Sequence, residues 1–331
     1  MTTPQADAPL LRLGTWPTPV EPAPRLAEHL GLGRDDLLLK RDDLCGLGGG
    51  GNKVRKLERT VGRALAEGAD VLVTTGAAQS NHARATAAAA RRAGLGCVLV
   101  LAGSAPGRAA GNLVLDELLG AQLEWVGDVA LGDLDAAAEQ VCARLRAEGS
   151  RPSRVPYGGS DALGVLGYVE AAAEIAAQVP DVAHVVTAVG SGGTMAGLVA
   201  GLGPARVLGV DVGAVPDPVE RVVGLVRGVA AAQPDALPDA AAASTVRAGD
   251  LRLRRDEVGE GYGVPTPGST AALEAAARTE GVVLDPVYTA KALAGLASAV
   301  RRGEVRPGGR TVLVHTGGLP GLFGHPSVTG A

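Results

Sequence analysis

The chain has 331 residues, more than one hydrophobic core usually supports, so two domains or one large domain with a sizeable insertion is expected. Hydrophobic residues make up 46% but aromatics only 2%, with 49 glycines, so the core has to be assembled from Ala, Val and Leu in close-packed α/β layers. A net charge of −4 with both signs interspersed, and no basic stripe interleaved with aromatics, argues against a nucleic-acid partner.

Three cysteines, Cys45, Cys97 and Cys142, are an odd number without metal-ligand spacing, and the N-terminus has no basic start followed by an apolar core. Both point to a reducing cytoplasm, with no metal. The longest apolar runs fall far short of the roughly 20 residues that a bilayer requires, so no membrane span is expected.

In chain order, four glycines at 48–51 precede Asn52 and Lys53, and Val54, Leu57, Val61, Ala64 and Leu65 then recur at helical spacing up to Gly68. A strand at 70–76, a helix through 80–94 and a strand at 97–103 follow. The alternation continues through "NLVLDELLGA", "QLEWVG" and "LDAAAEQVCARLRAEGS" and closes near residue 155. Next come a helix in "DALGVLGYVEAAAEIAAQV", a strand in "HVVTAVG", a helix from "TMAGLVAGL" and a strand in "RVLGVDVG". Such alternation predicts two parallel sheets covered by helices on both faces. The Pro- and Ala-rich stretch at 214–250 reads as one helix and a loosely packed connection. Helices near 268–280 and 289–302 and a strand at 311–318 complete the pattern.

Five features bear on chemistry, each with a plain alternative. "VGSGGTMAG" at 189–197 is a glycine-rich strand-to-helix turn whose N–H groups at Gly190, Ser191, Gly192, Gly193 and Thr194 suit a phosphate, or it is simply a tight turn. It matches neither the Walker A nor the G-x-G-x-x-G pattern. Lys53 is either a nucleophile toward aldehydes, behind a loop flexible enough to approach a planar ring, or one solvated member of a "KVRK" cluster. Ser80, Asn81 and His82 open a helix after a strand, as caps or as a carboxylate site. Tyr262 and Tyr288, two of only four tyrosines, either cover the core or stack on a cofactor and move protons. Thr316 ends a buried-type strand, as a polar terminus or as a partner for a ring nitrogen.

Taken together, the blocks "LLLKRDDL", "GGNKVRKLE", "TTGAAQSNHAR", "YGGSDALGVLGYVEAAAEI", "GSGGTMAGL", "GYGVP", "LDPVYTAKALAGL" and "VLVHTGGLPGLFG" resemble the D-cysteine desulfhydrase and 1-aminocyclopropane-1-carboxylate (ACC) deaminase family. These are fold-type II, tryptophan synthase β-like pyridoxal-phosphate enzymes. The resemblance implies an α/β fold of two doubly wound open sheets. A large cofactor-binding domain would comprise 1–54 and 156–331, with a small inserted domain at 55–155. It implies that Lys53 bonds to the aldehyde of pyridoxal phosphate and later acts as general base. Asn81 would bond the ring's 3′ oxygen, Tyr288 stack on the ring, Gly190, Ser191, Gly192, Gly193 and Thr194 hold the phosphate, and Thr316 face the ring nitrogen. Ser80, Asn81 and His82 would grip a substrate carboxylate, with Tyr262 beside the leaving group or Lys53.

Thr289 and Thr316 match the D-cysteine desulfhydrase branch, where ACC deaminases carry Glu and Leu. The implied reaction is a β-elimination on a small amino acid, D-cysteine in that branch, by a cytoplasmic homodimer. ACC deaminase and L-cysteate lyase activity are the alternatives within the class. A phosphate- or pyridoxal-phosphate-binding protein without catalysis is the alternative outside it.

Overall fold

A computed structural model of the chain describes residues 10–129 and 133–329. The expectation of no leader rests partly on residues 1–9, which lie outside the described residues. The chain opens with β1 (Val20–Pro22), α1 (Pro24–Leu30) and β2 (Leu37–Lys40), and α2 (Lys53–Ala66) starts at the lysine behind the glycine loop. Then come β3 (Val71–Gly76), α3 (Asn81–Ala93), β4 (Gly96–Leu101), α4 (Asn112–Leu118), β5 (Gln122–Trp125), α5 (Leu134–Ala147) and β6 (Pro152–Arg154). The second half runs α6 (Ala162–Gln178), β7 (Val182–Val189), α7 (Gly193–Leu202), β8 (Val207–Asp211), α8 (Pro218–Ala232), α9 (Ala240–Thr245) and β9 (Arg252–Arg254). It ends with α10 (Pro267–Glu280), α11 (Thr289–Arg301), β10 (Arg310–Val314) and two short turns, α12 (Leu319–Leu322) and α13 (Pro326–Thr329).

Two sheets result. The smaller has the order β5-β4-β3-β6 and is parallel throughout. The larger has the order β1-β2-β10-β7-β8-β9, parallel except for β1 against β2. The fold is therefore α/β with two doubly wound open sheets. Every strand of the smaller sheet lies between residues 71 and 154, and every strand of the larger one lies outside that interval.

Strands such as β3 are buried on both faces, which explains their unbroken apolar runs. The scarcity of aromatics is resolved by close approach. A Cβ on Gly197 of α7 would lie 2.4 Å from Tyr168 Cβ on α6, and one on Gly201 would lie 2.4 Å from Ala172 Cβ. No helix among the described residues is long and apolar enough to cross a membrane.

The stretch at 214–250 differs from its expected loose packing. Leu237, Ala243 and Val246 are buried in one core cluster with side chains of α7 and α8, and Asp239 caps α9 by accepting the Ala242 N–H at 2.8 Å. The prolines and aspartates that look like loop composition are helix starts here. β9 then closes the edge of the larger sheet beside β8.

Helix α2 connects the sheets, and a buried ionic network sets its rotation. The Arg55 guanidinium holds both Asp42 oxygens at 2.9 Å and both Glu174 oxygens at 2.9 and 2.8 Å, and it lies 3.9 Å over the Trp16 ring. Lys40 donates to Glu174, Gln178 and the Thr18 carbonyl, and the Tyr168 hydroxyl donates to Asp42 at 2.5 Å. Because a helix turns about 100° per residue, anchoring Arg55 on this side presents Lys53 and Lys56 on the other.

Arg55→Leu leaves Asp42 buried without its partner, so a loss of about 3–5 kcal/mol is expected in urea unfolding at pH 7. Burial alone would raise the Asp42 carboxyl, but Arg55, Tyr168 and Thr18 outweigh it and hold the group below its usual 3.8. A carboxyl depressed by folding adds stability above that value and loses it as pH falls through the folded one. The gap between wild type and variant therefore narrows on acidification below about pH 4, and a gap constant with pH would refute the assignment.

Candidate active site

The carboxyl ends of β3, β7 and β10 and the loop into α2 converge between the two sheets, where open α/β sheets place their ligand sites. A cavity is lined there by Asn52, Lys53, Asn81, Tyr288 and Thr316, with Gly190, Ser191, Gly192 and Thr194 along one wall. A second cavity shares Lys53, Ser191 and Tyr288 and adds Ser80, His82, Tyr157 and Tyr262. The residues singled out in the sequence for chemistry meet here, except Gly193 and Thr289, which line neither cavity.

Lys53 is the first residue of α2, half-buried, and makes no hydrogen bond or ion pair with the described residues. Burial lowers its pKa from 10.5 to about 8, so a far larger share of the amine is neutral near physiological pH than for a solvated lysine, though most of it is still protonated. The preceding glycines do not serve the purpose expected of them. Gly48, Gly50 and Gly51 have φ of +53°, +69° and +111°, and a Cβ would meet Ala88 Cβ at 2.5 Å, the Asp43 carbonyl oxygen at 1.9 Å and the Thr316 carbonyl oxygen at 3.0 Å, respectively. They let the loop fold against its own protein rather than against a ring. The Asn52 N–H then bonds the Thr316 carbonyl at 3.0 Å, and its side chain donates to Thr194 Oγ1 at 2.9 Å, joining three walls of the cavity.

Helix α7 begins after Gly192 with no side-chain cap, so its first N–H groups remain unpaired. Behind them lies Lys56, fully buried, donating to Ser160 Oγ at 3.0 Å and the Gly158 carbonyl at 3.3 Å. Ser160 in turn bonds Ser191 Oγ at 2.8 Å. Burial first, then Lys53 and Arg221, push the Lys56 pKa well below 10.5. A Cβ on Gly193 would lie 2.4 Å from Ser160 Oγ and 2.8 Å from Lys56 Nζ, which accounts for the glycine. The charged form of Lys56, which has only neutral partners, and an uncapped helix start are both stabilised by one bound anion.

At the start of α3, Ser80 Oγ accepts the Ala83 N–H at 3.1 Å, leaving its own proton to donate, and the first-turn N–H groups of Asn81 and His82 have no intrahelical partner. The His82 imidazole is turned elsewhere. Thr74 Oγ1 gives its single proton to the Val155 carbonyl at 2.9 Å, so it accepts from His82 Nε2, also at 2.9 Å. Burial, Lys53 and Lys56 hold this ring neutral, with a pKa well below 6.5. Position 82 offers an anion its backbone N–H rather than its side chain.

The hydroxyls of Tyr262 and Tyr288 are hydrogen-bonded, with ring centroids 6.1 Å apart in an edge arrangement. Burial raises the pKa of both, and at Tyr262 the hydrogen bond shared with Tyr288 partly offsets the rise. The Asp285 carboxylate fixes Tyr288 by accepting the N–H groups of Val287, Tyr288 and Thr289 at 3.0, 2.9 and 2.8 Å. Thr289 spends its hydroxyl on Asp285 at 2.7 Å and borders neither cavity. Lys291 reaches back to the Val258 and Gly261 carbonyls, at 3.0 and 3.4 Å, and staples the Tyr262 loop to α11.

Tyr157, Ser160, Asp285 and Lys291 carry no role in the sequence reading, and Lys56 enters it only as a cation of the "KVRK" cluster near Lys53. One signal was available for the two lysines: only four of the 31 cationic residues are lysines, at 40, 53, 56 and 291. Lys40, Lys56 and Lys291 have no exposed surface, so lysine is used where a compact ammonium is needed inside.

Residues 11–317 match the family model described as "Pyridoxal-phosphate dependent enzyme". The chain is 43% identical to a D-cysteine desulfhydrase of Klebsiella pneumoniae subsp. pneumoniae, covering 96% of this chain and 97% of that one. It is 42% identical to a D-cysteine desulfhydrase of Salmonella schwarzengrund, over 97% of each. Among solved structures, an ACC deaminase homologue superposes with a TM-score of 0.87 at 36% identity, covering 98% of this chain and 96% of that one. A threonine deaminase isoform from Solanum lycopersicum, at 18% identity and TM-score 0.61 over 91% of this chain and 79% of that one, shares the fold.

With three lysines sealed inside, an amine-reactive sulfonate applied to the native chain without cofactor should label Lys53 above any other side-chain amine. Its rate should rise with pH and level off above about 8, because the amine is protonated below its pKa. Peptide mass spectrometry across pH 6–11 measures this, and a rate still climbing toward 10.5 would contradict the lowered pKa.

Proposed function

The chain belongs to the family of pyridoxal-phosphate-dependent enzymes, and from that premise we propose that it is a carbon–sulfur lyase converting D-cysteine and water to pyruvate, ammonia and hydrogen sulfide. The observation that carries the reading is Lys53: an unpaired amine with a pKa of about 8, facing an anion-seeking helix start and a tyrosine ring in one cavity. Identity above 40% to desulfhydrases over nearly their whole length supports the substrate.

The donor set fits pyridoxal phosphate. Lys53 would take its aldehyde, and Gly190, Ser191, Gly192, Gly193 and Thr194, backed by Lys56, its phosphate. Tyr288 would cover the ring, with Asn81 and Thr316 at its 3′ oxygen and nitrogen. When bound, the cofactor supplies a conjugated ring that takes up the electron pair left at the substrate's Cα. The remaining work falls to the chain. Ser80 Oγ–H and the N–H groups of Asn81 and His82 hold the substrate carboxylate. Lys53, as neutral amine, accepts the Cα proton on Nζ. Tyr262, made the more acidic hydroxyl by Tyr288, donates its proton to the departing sulfur.

Thr289 bears on the choice within the family. Its hydroxyl is a cap for Asp285, and no carboxylate lines either cavity, so Thr316 is the residue that would face the ring nitrogen. That environment suits departure of a good β-leaving group better than opening of a cyclopropane. Three buried, unpaired cysteines support a cytoplasmic setting. A homodimer and a domain division at 55–155 belong to the same reading, carried by family likeness.

A panel of D-cysteine, L-cysteine, L-cysteate and ACC, with keto acid and sulfide measured, tests the assignment. D-cysteine should have the highest kcat/KM. A preference for ACC or L-cysteate moves the enzyme to another branch, and no turnover with any of them supports the non-catalytic alternative. Lys53→Ala should lower kcat by about 10³-fold or more, and Tyr262→Phe by about 10²-fold with KM little changed, as the loss of a proton-transfer group predicts.

A further inference from the structure

Asn81 is half of a side-chain pair whose polarity the structure determines. Arg84, fully buried on α3, can only donate, and its Nε donates to Asn112 Oδ1 at 3.2 Å. The Gln79 carbonyl can only accept, and it takes a hydrogen bond from Asn112 Nδ2 at 3.0 Å. Two independent partners thus assign the two ends of the Asn112 amide. The same Nδ2 donates to Asn81 Oδ1 at 2.9 Å, so the oxygen of Asn81 is occupied. Its Nδ2 donates to no acceptor among the described residues, and Asn81 lines the main cavity. Arg84 also binds the Gly48 and Gly50 carbonyls at 2.7 and 2.9 Å, so one guanidinium indexes both the loop leading to Lys53 and the amide across from it.

We infer that Asn112, aligned by Arg84, is a positioning residue that presents Asn81 to the cavity as an N–H donor and thereby selects a ligand with an anionic oxygen at that place. The inference rests on the reading that pyridoxal phosphate occupies the cavity. Without Asn112 the Asn81 amide is free to present either end, and half of its orientations place oxygen against oxygen.

The test is the pyridoxal-phosphate dissociation constant of the apo-enzyme, measured by absorbance titration, in a double-mutant cycle. In Asn112→Asp a carboxylate replaces the donor, Asn81 turns its nitrogen toward it, and the constant should rise about tenfold. In an Asn81→Ala background the same change should matter by less than about twofold, because the relay has lost its end point. An unchanged constant in Asn112→Asp, or a tenfold effect that persists without Asn81, overturns the inference while leaving the cofactor assignment standing. A wild-type chain that takes up no pyridoxal phosphate overturns both. If circular dichroism shows Asn112→Asp to be unfolded, Asn112→Ser, which drops the donation without adding charge, is read by the same cycle. There a rise of about threefold, erased by Asn81→Ala, supports the relay, and no rise refutes it.

Discussion

Arg55 and Asp42 pair through two N–H···O bonds in a core that water does not reach, and helix α2 is held by that pair. Each charge would be costly to bury alone, and together with Glu174, Lys40, Thr18 and Tyr168 they satisfy one another's donors and acceptors. The geometry tolerates little rotation, because a guanidinium that bonds two carboxylates edge-on has one acceptable plane. Lys53 and Lys56 are two and one residues away on the same helix, so the direction of each follows from where Arg55 points. The "KVRK" cluster therefore separates: its arginine organises the larger sheet's side, Lys53 faces the cleft and Lys56 is buried behind the start of α7.

That separation gives the cleft its electrostatic character. Lys53, Lys56 and the first turns of α3 and α7 all present positive charge or unpaired N–H groups, no carboxylate lines either cavity, and His82 is kept neutral. The arrangement favours anions, while the lowered pKa of Lys53 comes from burial alone.

Much of this was legible in the chain itself. The period of the apolar residues yields α2, α3, β3, β4 and β7 to within a few residues, because amphipathic and buried-strand patterns are local. The glycine turn after β7, the lysine after the glycines and the polar trio before α3 are also local, each lying where a strand or loop meets a helix start. The stretch at 214–250 was misleading because proline and aspartate mark both loops and helix beginnings, and only the burial of Leu237, Ala243 and Val246 separates the two. The glycines at 48–51 were misread for a similar reason: positive φ and lack of a side chain suit close approach to anything, and the thing approached is Asp43, Ala88 and Thr316.

Sequence alone determined the fold class and the residue types gathered for chemistry, because both depend on neighbours within a few positions and on a resemblance carried by short blocks. Tertiary structure decided what each of those groups can do. Thr289 becomes a cap once Asp285 is beside it, the His82 ring becomes a neutral donor to Thr74, Asn81 becomes a donor to the cavity because Asn112 takes its oxygen, and Lys53 becomes a base near pH 8 because protein displaces its water. The Asp285–Thr289 cap is local, but the hydrogen bond that orients Asn81 and the desolvation of Lys53 come from residues far apart in the chain, and no spacing within a motif encodes them.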